Sequence, residues 1–123
     1  MMFAKATLLA SALLASGVVA YNGREFPFSP TGQVYQCGFA VEDNDDAAFV
    51  SPTLFNASHC GMEIQSSSPW GLGETITPIL AGIYQCEDCE VNDIFVTPDE
   101  YARATTNKAD EPYISTVWNY KTW

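Results

Sequence analysis

Residues 82–98, Gly-Ile-Tyr-Gln-Cys-Glu-Asp-Cys-Glu-Val-Asn-Asp-Ile-Phe-Val-Thr-Pro, constrain this chain more than any other stretch. An apolar, strand-like run over 75–84 enters a tight Cys86-x-x-Cys89 turn, and a second short strand over 93–96 leaves it. Thr97-Pro98-Asp99-Glu100 then opens a helix. Thr97 is placed as N-cap, Pro98 at the first helical position, and Glu100 where it can reach back to close a capping box. The helix is predicted over 98–105, with Tyr101 and either Ala102 or Ala104 turned inward. The plan is strand, cysteine-clamped turn, strand, capped helix.

The remaining segments are short and mostly β. Residues 21–31 carry Gly23, Pro27 and Pro30 among aromatics and read as an extended N-terminal arm, not a regular element. Strands are predicted over 32–37, 47–50, 61–65 and 113–120, with Pro78 forbidding an ordinary central ladder in the run before the clamped turn. Ser51 followed by Pro52 has the form of an N-cap and first residue of a one- or two-turn helix. Six or so short strands, two stubby helices and frequent turn signals describe a small all-β barrel.

The chain has 123 residues. Residues 1–20 read as a secretory signal peptide: a basic start, an almost wholly apolar run, and Val18-Val19-Ala20 as small residues before a cleavage point. That run is too short for a comfortable membrane span. The remainder, residues 21–123, is one domain's worth of chain, expected to be secreted, extracellular and monomeric. Its four basic residues face all 15 acidic ones, a net charge of −11. Such a surface repels phosphate backbones and anionic lipids, so nucleic acid and membrane surfaces are excluded as expected partners. A polyanionic substrate is disfavoured for the same reason, and a neutral or cationic partner is favoured.

Cys37, Cys60, Cys86 and Cys89 form an even set in a chain read as exported, so two disulfides are expected. Three connectivities are open. The pairing favoured is Cys37–Cys60, closing a long loop, with Cys86–Cys89 locking only a turn. The alternative is a zinc site from Cys86, Cys89, Cys60 and His59, which an oxidising compartment disfavours. The acidic loop 42–46 lacks the glycine and terminal acid of a calcium loop, so no metal or cofactor is expected. Asn56-Ala57-Ser58 is a glycosylation sequon in a polar loop.

Taken in order, Cys37-Gly38, an acidic loop reaching Asp45, Ala48-Phe-Val-Ser51-Pro52, Cys60-Gly61-x-x-Ile64, Cys86-x-x-Cys89, Asp93-Ile-x-Val-Thr-Pro98 and a closing strand around Val117-Trp118 resemble a known family. It is that of the rare-lipoprotein-A-like, expansin-like and barwin-like proteins, in particular the short, secreted, single-domain kind common in fungi. The resemblance covers essentially the whole of 21–123. It implies a six-stranded double-psi β-barrel, mainly β with one or two short helices. It also implies a groove that usually carries two aspartates. Here those positions fall on Tyr84 and Phe95, while Asp93 keeps only the first acid of the second strand. Neither a phenol nor a phenyl ring replaces a general acid at ordinary pH.

The function expected is therefore a non-catalytic binding domain for wall polysaccharide, with a groove of Asp45, Trp70, Tyr84, Asp93, Phe95 and Trp118. Aromatic faces suit the apolar C–H face of a sugar ring. Two alternatives stand beside it. One is a lytic enzyme on wall glycans, with Asp93 assisted by Asp88 or Glu90. The other is a protein-binding effector or inhibitor that uses the barrel as scaffold. The expected partner is a neutral or cationic cell-wall polysaccharide, or an extracellular protein.

Overall fold

The structure is a computed structural model that describes residues 20–68, 73–106 and 111–121. The leader read over 1–20 (save residue 20) and Trp70 lie outside the described residues. The elements in order are β1 (Tyr21–Pro27), β2 (Gln33–Val34), β3 (Ala40–Val41), β4 (Ala47–Val50), a 3-10 turn (Ala57–His59), β5 (Ile64–Ser67), β6 (Ile79–Ile83), β7 (Ile94–Val96), α1 (Pro98–Thr105) and β8 (Ile114–Tyr120).

Six strands form one sheet in the order β5-β8-β1-β7-β4-β6, while β2 and β3 form a small hairpin apart from it. The pairs β1–β7 and β4–β6 are parallel and the other pairs in the sheet antiparallel. The sheet curls until its two edges meet. Ile64 N donates to Pro78 O at 2.7 Å, Leu80 N to Met62 O at 2.9 Å, and Ser66 and Ile76 exchange both backbone bonds at 3.0 Å. Pro78, which has no N–H to give, thus enters the closure only as an acceptor. The break it forces explains why the strand predicted over 75–84 shortens to β6, with Ile76 left as a lone bridge.

Strand alternation sorts the side chains into two layers. Facing inward, Ala48, Val50, Ile64, Leu80, Ile94, Val96, Ile114 and Trp118 fill the barrel, and Tyr101 and Ala104 of α1 join the same core. On the outside, Val41, Phe49, Ala81 and Tyr84 are buried in a second cluster with Phe28, Tyr35, Cys89 and Phe95 against it.

The two disulfides pair Cys37 with Cys60 and Cys86 with Cys89. The expected connectivity is the one present, and the zinc set is consumed by it. His59 instead lies against the Tyr120 ring at 4.3 Å.

Several local expectations need correction. The strand expected over 32–37 is only the two-residue β2, outside the barrel sheet, and the one expected over 61–65 lies at Ile64–Ser67. The N-terminal arm over 21–31 is, for residues Tyr21–Pro27, the central strand β1, paired on both sides. Gly23 looks like a breaker, but a Cβ there would sit 2.0 Å from Asn92 O, so glycine is what lets β1 pass so close. Ser51 does cap a turn, with its Oγ accepting from Leu54 N at 3.2 Å, but no helix follows. At α1 the extended N-cap backbone of Thr97 and Pro98 at the first turn are as expected, yet no capping box forms. The buried Thr97 hydroxyl donates to Asp45 O instead, tying the acidic loop to the helix, and Glu100 turns to Arg103.

Candidate ligand-binding face

The outer surface of β1, β7 and β8 carries an aromatic cluster of half-buried Phe26 and Phe95 and exposed Tyr113, backed by buried side chains. On β1, alternation points Glu25 inward and Arg24 and Phe26 outward. Phe26 is in direct parallel register with Phe95 of β7, and their rings stack at 4.9 Å with 17° between planes. Tyr113, at the entry to β8, is 45% exposed and lies 5.4 Å from the Phe26 ring. Behind Phe95 stands Tyr84, 4.6 Å away, its hydroxyl donating to Glu90 O at 2.8 Å.

Arg24 is fixed across this surface. Its guanidinium lies 5.2 Å from the Phe26 centroid and 5.4 Å from that of Tyr113, within cation–π range of both. Asp93 holds it there. Asp93 Oδ2 accepts from Arg24 Nη2 at 2.6 Å and Oδ1 from Arg24 Nε at 3.1 Å, a bidentate fork, and Oδ1 also takes the Arg24 backbone N–H at 3.2 Å. Glu90 N donates to the same carboxylate at 2.8 Å. The carboxylate's hydrogen bond raises the pKa of Arg24 above its ordinary value, so the cation is permanent. The Cys86–Cys89 turn has a clear structural role. It presents Glu90 so that its backbone N–H meets Asp93 and its carbonyl meets Tyr84.

Beside the aromatic strip runs an open cleft of about 350 Å³ lined by Asn22, Gly23, Arg24, Glu90, Ser115, Thr116 and Val117. Apolar faces next to amide, guanidinium, hydroxyl and carboxylate groups form a surface that can stack one ring and hydrogen-bond the hydroxyls of its neighbour.

No family model matches the sequence, and no curated protein matches it. Solved structures do. The expansin of Clavibacter michiganensis superposes with a TM-score of 0.68 at 20% identity, covering 85% of this chain and 51% of that one. A mutant of the same expansin in complex with cellohexaose gives 0.67 at 19% identity, over the same shares. The Streptomyces papain inhibitor gives 0.69 at 14% identity, covering 85% of this chain and 96% of that one. The chain has the expansin-like double-psi β-barrel fold. It spans about half the length of the expansin it matches.

Within this barrel only part of the predicted groove comes together: Tyr84, Phe95 and Asp93 are neighbours, while Trp118 and Asp45 lie elsewhere. Phe95 reaches the outer face. Trp118 is fully buried, its Nε1 donating to Asn92 O at 2.9 Å and its ring 4.5 Å from Tyr21, so it has no surface to offer a ligand. Tyr84 is 5% exposed and supports the face from beneath; burial pushes its phenol up to about 12, so it stays neutral. Asp93 has no exposed surface, and both its oxygens are taken by Arg24 and Glu90, so it acts here as an anchor for Arg24 and cannot touch a glycosidic oxygen. Asp45 lines a different cavity of about 460 Å³ with Phe39, Ala40, Val41, Asp46, Ala47, Gly61 and Ile79. Asn56 of the sequon is exposed, its Oδ1 accepting from Ser58 N at 2.9 Å and from the Ser58 hydroxyl at 2.8 Å.

Sequence reasoning missed Arg24, Phe26 and Tyr113. The signal was present in Asn22-Gly-Arg-Glu-Phe26, an alternation of outward and inward side chains that Gly23 and Pro27 disguised. No cluster of three or more potential metal ligands occurs among the described residues, and no helix among them is long and apolar enough to cross a membrane.

Proposed function

We propose that this chain is a secreted, non-catalytic domain that binds a neutral cell-wall polysaccharide on the outer face of β1, β7 and β8. The observation that carries the reading is the strip of Phe26, Phe95 and Tyr113 with Arg24 held across it by Asp93 and a polar cleft alongside. Support comes from the same fold in an expansin crystallised with cellohexaose. Charge points the same way: Arg24 on this face is neutralised by Asp93, and a net charge of −10 over the whole chain repels polyanions. Asp93 anchors Arg24 and is withdrawn from solvent, so on this reading the surface binds by stacking and hydrogen bonding, with Glu90 as the carboxylate beside the cleft. The test is a pull-down on cellulose, xyloglucan, chitin and chitosan, with reducing-end release measured in parallel. Tyr113→Ala removes exposed stacking area without opening the core, and a fall in affinity of about tenfold is expected. Equal binding by wild type and Tyr113→Ala, or glycan release by wild type, overturns the reading.

A protein partner is the second reading, favoured by the other cavity. Phe39 and Ile79 are both exposed there, beside Asp45 and Asp46. An apolar floor with an acidic rim fits a basic side chain of an extracellular protein, and the likeness to a protease inhibitor agrees with it. Phe39→Ala separates the two readings, because it leaves the polysaccharide face untouched.

A further inference from the structure

On the opposite side of β1 from Arg24 and Phe26, the barrel interior holds a buried polar chain, of which only Thr116 also borders the cleft. Glu25 is wholly buried, in register with Ile94 of β7 and Ile114 of β8. Its Oε1 lies 2.8 Å from Ser66 Oγ of β5, which lies 2.5 Å from Thr116 Oγ1 of β8, which in turn lies 3.1 Å from Ser67 O. Among the described residues Glu25 Oε2 has no hydrogen-bond partner, and no Lys, Arg or His forms an ion pair with Glu25. Helix α1 brings a like charge from Glu100, itself paired with Arg103, which also holds Asp46. Arg24 and Asp93, from β1 and beside β7, are engaged with each other.

Three successive oxygen–oxygen contacts need three protons, and the two hydroxyls supply two. The Ser67 carbonyl supplies none. With Glu25 as a carboxylate, one contact would press two lone pairs together, and a buried charge would keep one donor and an oxygen with none. With Glu25 as a carboxylic acid the count closes: Glu25 donates to Ser66, Ser66 to Thr116, and Thr116 to the Ser67 carbonyl. Oε2 is then a neutral carbonyl oxygen, far cheaper to leave unpartnered than an anionic one.

We propose that Glu25 is held as a neutral acid whose proton completes a relay joining β1, β5 and β8, and that losing this proton loosens the barrel as pH rises. Burial pushes the Glu25 pKa up to about 7, the Glu100 charge adds to this, and the Ser66 contact opposes it. The sign follows from linkage. Below the ordinary carboxyl range, both folded and unfolded states hold the proton and the full stability is present. As pH rises from there to about 7 the unfolded chain ionises while the folded one resists, and stability is lost until the folded group ionises too.

Urea denaturation of the full chain between pH 4.5 and 8 tests this, with Glu25→Gln as comparison, since an amide N–H can donate to Ser66 at every pH. The wild-type folding constant should fall about a hundredfold relative to Glu25→Gln across that range. Parallel curves overturn the proposal. If Glu25→Gln does not fold, carboxyl ¹³C NMR of the wild type decides: a Glu25 midpoint near 7 is expected, and one in the ordinary carboxylate range overturns it.

Discussion

Asp93 shows how the same residue can read as chemistry in a sequence and as architecture in a structure. An acid two residues before an aromatic, next to an acidic turn, looks like a candidate proton donor. Four hydrogen bonds from Arg24 and Glu90 instead turn it into the bolt that aligns β1 with the clamped turn. Removing a charged partner leaves the other group's demands unmet, which is where large mutational effects arise. Asp93→Asn should therefore lower the urea midpoint clearly more than Asp88→Asn in the exposed turn. It should also weaken glycan binding, because Arg24 is no longer held over Phe26 and Tyr113. A neutral Asp93→Asn in both assays would contradict the anchoring role.

Among the elements, the two disulfides differ in the length of chain they close. Cys37–Cys60 spans a separation of 23 residues and ties the segment after β2 to the end of the 3-10 turn. Cys37→Ser with Cys60→Ser should cost about 3 kcal/mol in chemical denaturation. Cys86→Ser with Cys89→Ser opens a far shorter loop and should cost less, but should weaken binding by releasing Glu90 from Tyr84 and Asp93. Equal stability losses from the two pairs would show that loop length is not what separates them. The start of helix α1 was legible in the sequence, because Pro98 is compatible with only one end of a helix and Thr97 precedes it in extended form. β7 and β8 were legible from their β-branched and aromatic content. β1 was not, since its glycine serves a close approach to Asn92 that belongs to the tertiary structure, and no local pattern encodes it. The candidate site suffered most from that one omission: half of its side chains sit on β1. Tyr84 does lie on the outer side, hidden there by the second cluster, while Trp118 was misplaced for a related reason. Alternation says that a strand has two faces but not which of them the barrel encloses.

For the molecule as a whole, the barrel divides its polar chemistry between the two faces of β1. The inward face carries Glu25 and the polar relay, and the outward face carries Arg24 and Phe26. On the proposed reading, the acidic surface elsewhere disfavours polyanions and leaves the aromatic strip to a neutral ring. A direct measurement is a titration of isotope-labelled protein with cellohexaose, followed by backbone and aromatic side-chain NMR. Binding at the proposed face predicts shift changes at Arg24, Phe26, Phe95, Tyr113 and Ser115, saturating together, with saturation moved to about tenfold higher ligand in Tyr113→Ala. Changes centred on Phe39, Asp45 and Ile79 with the β1 face silent, or no saturable change with any wall oligosaccharide, would contradict it.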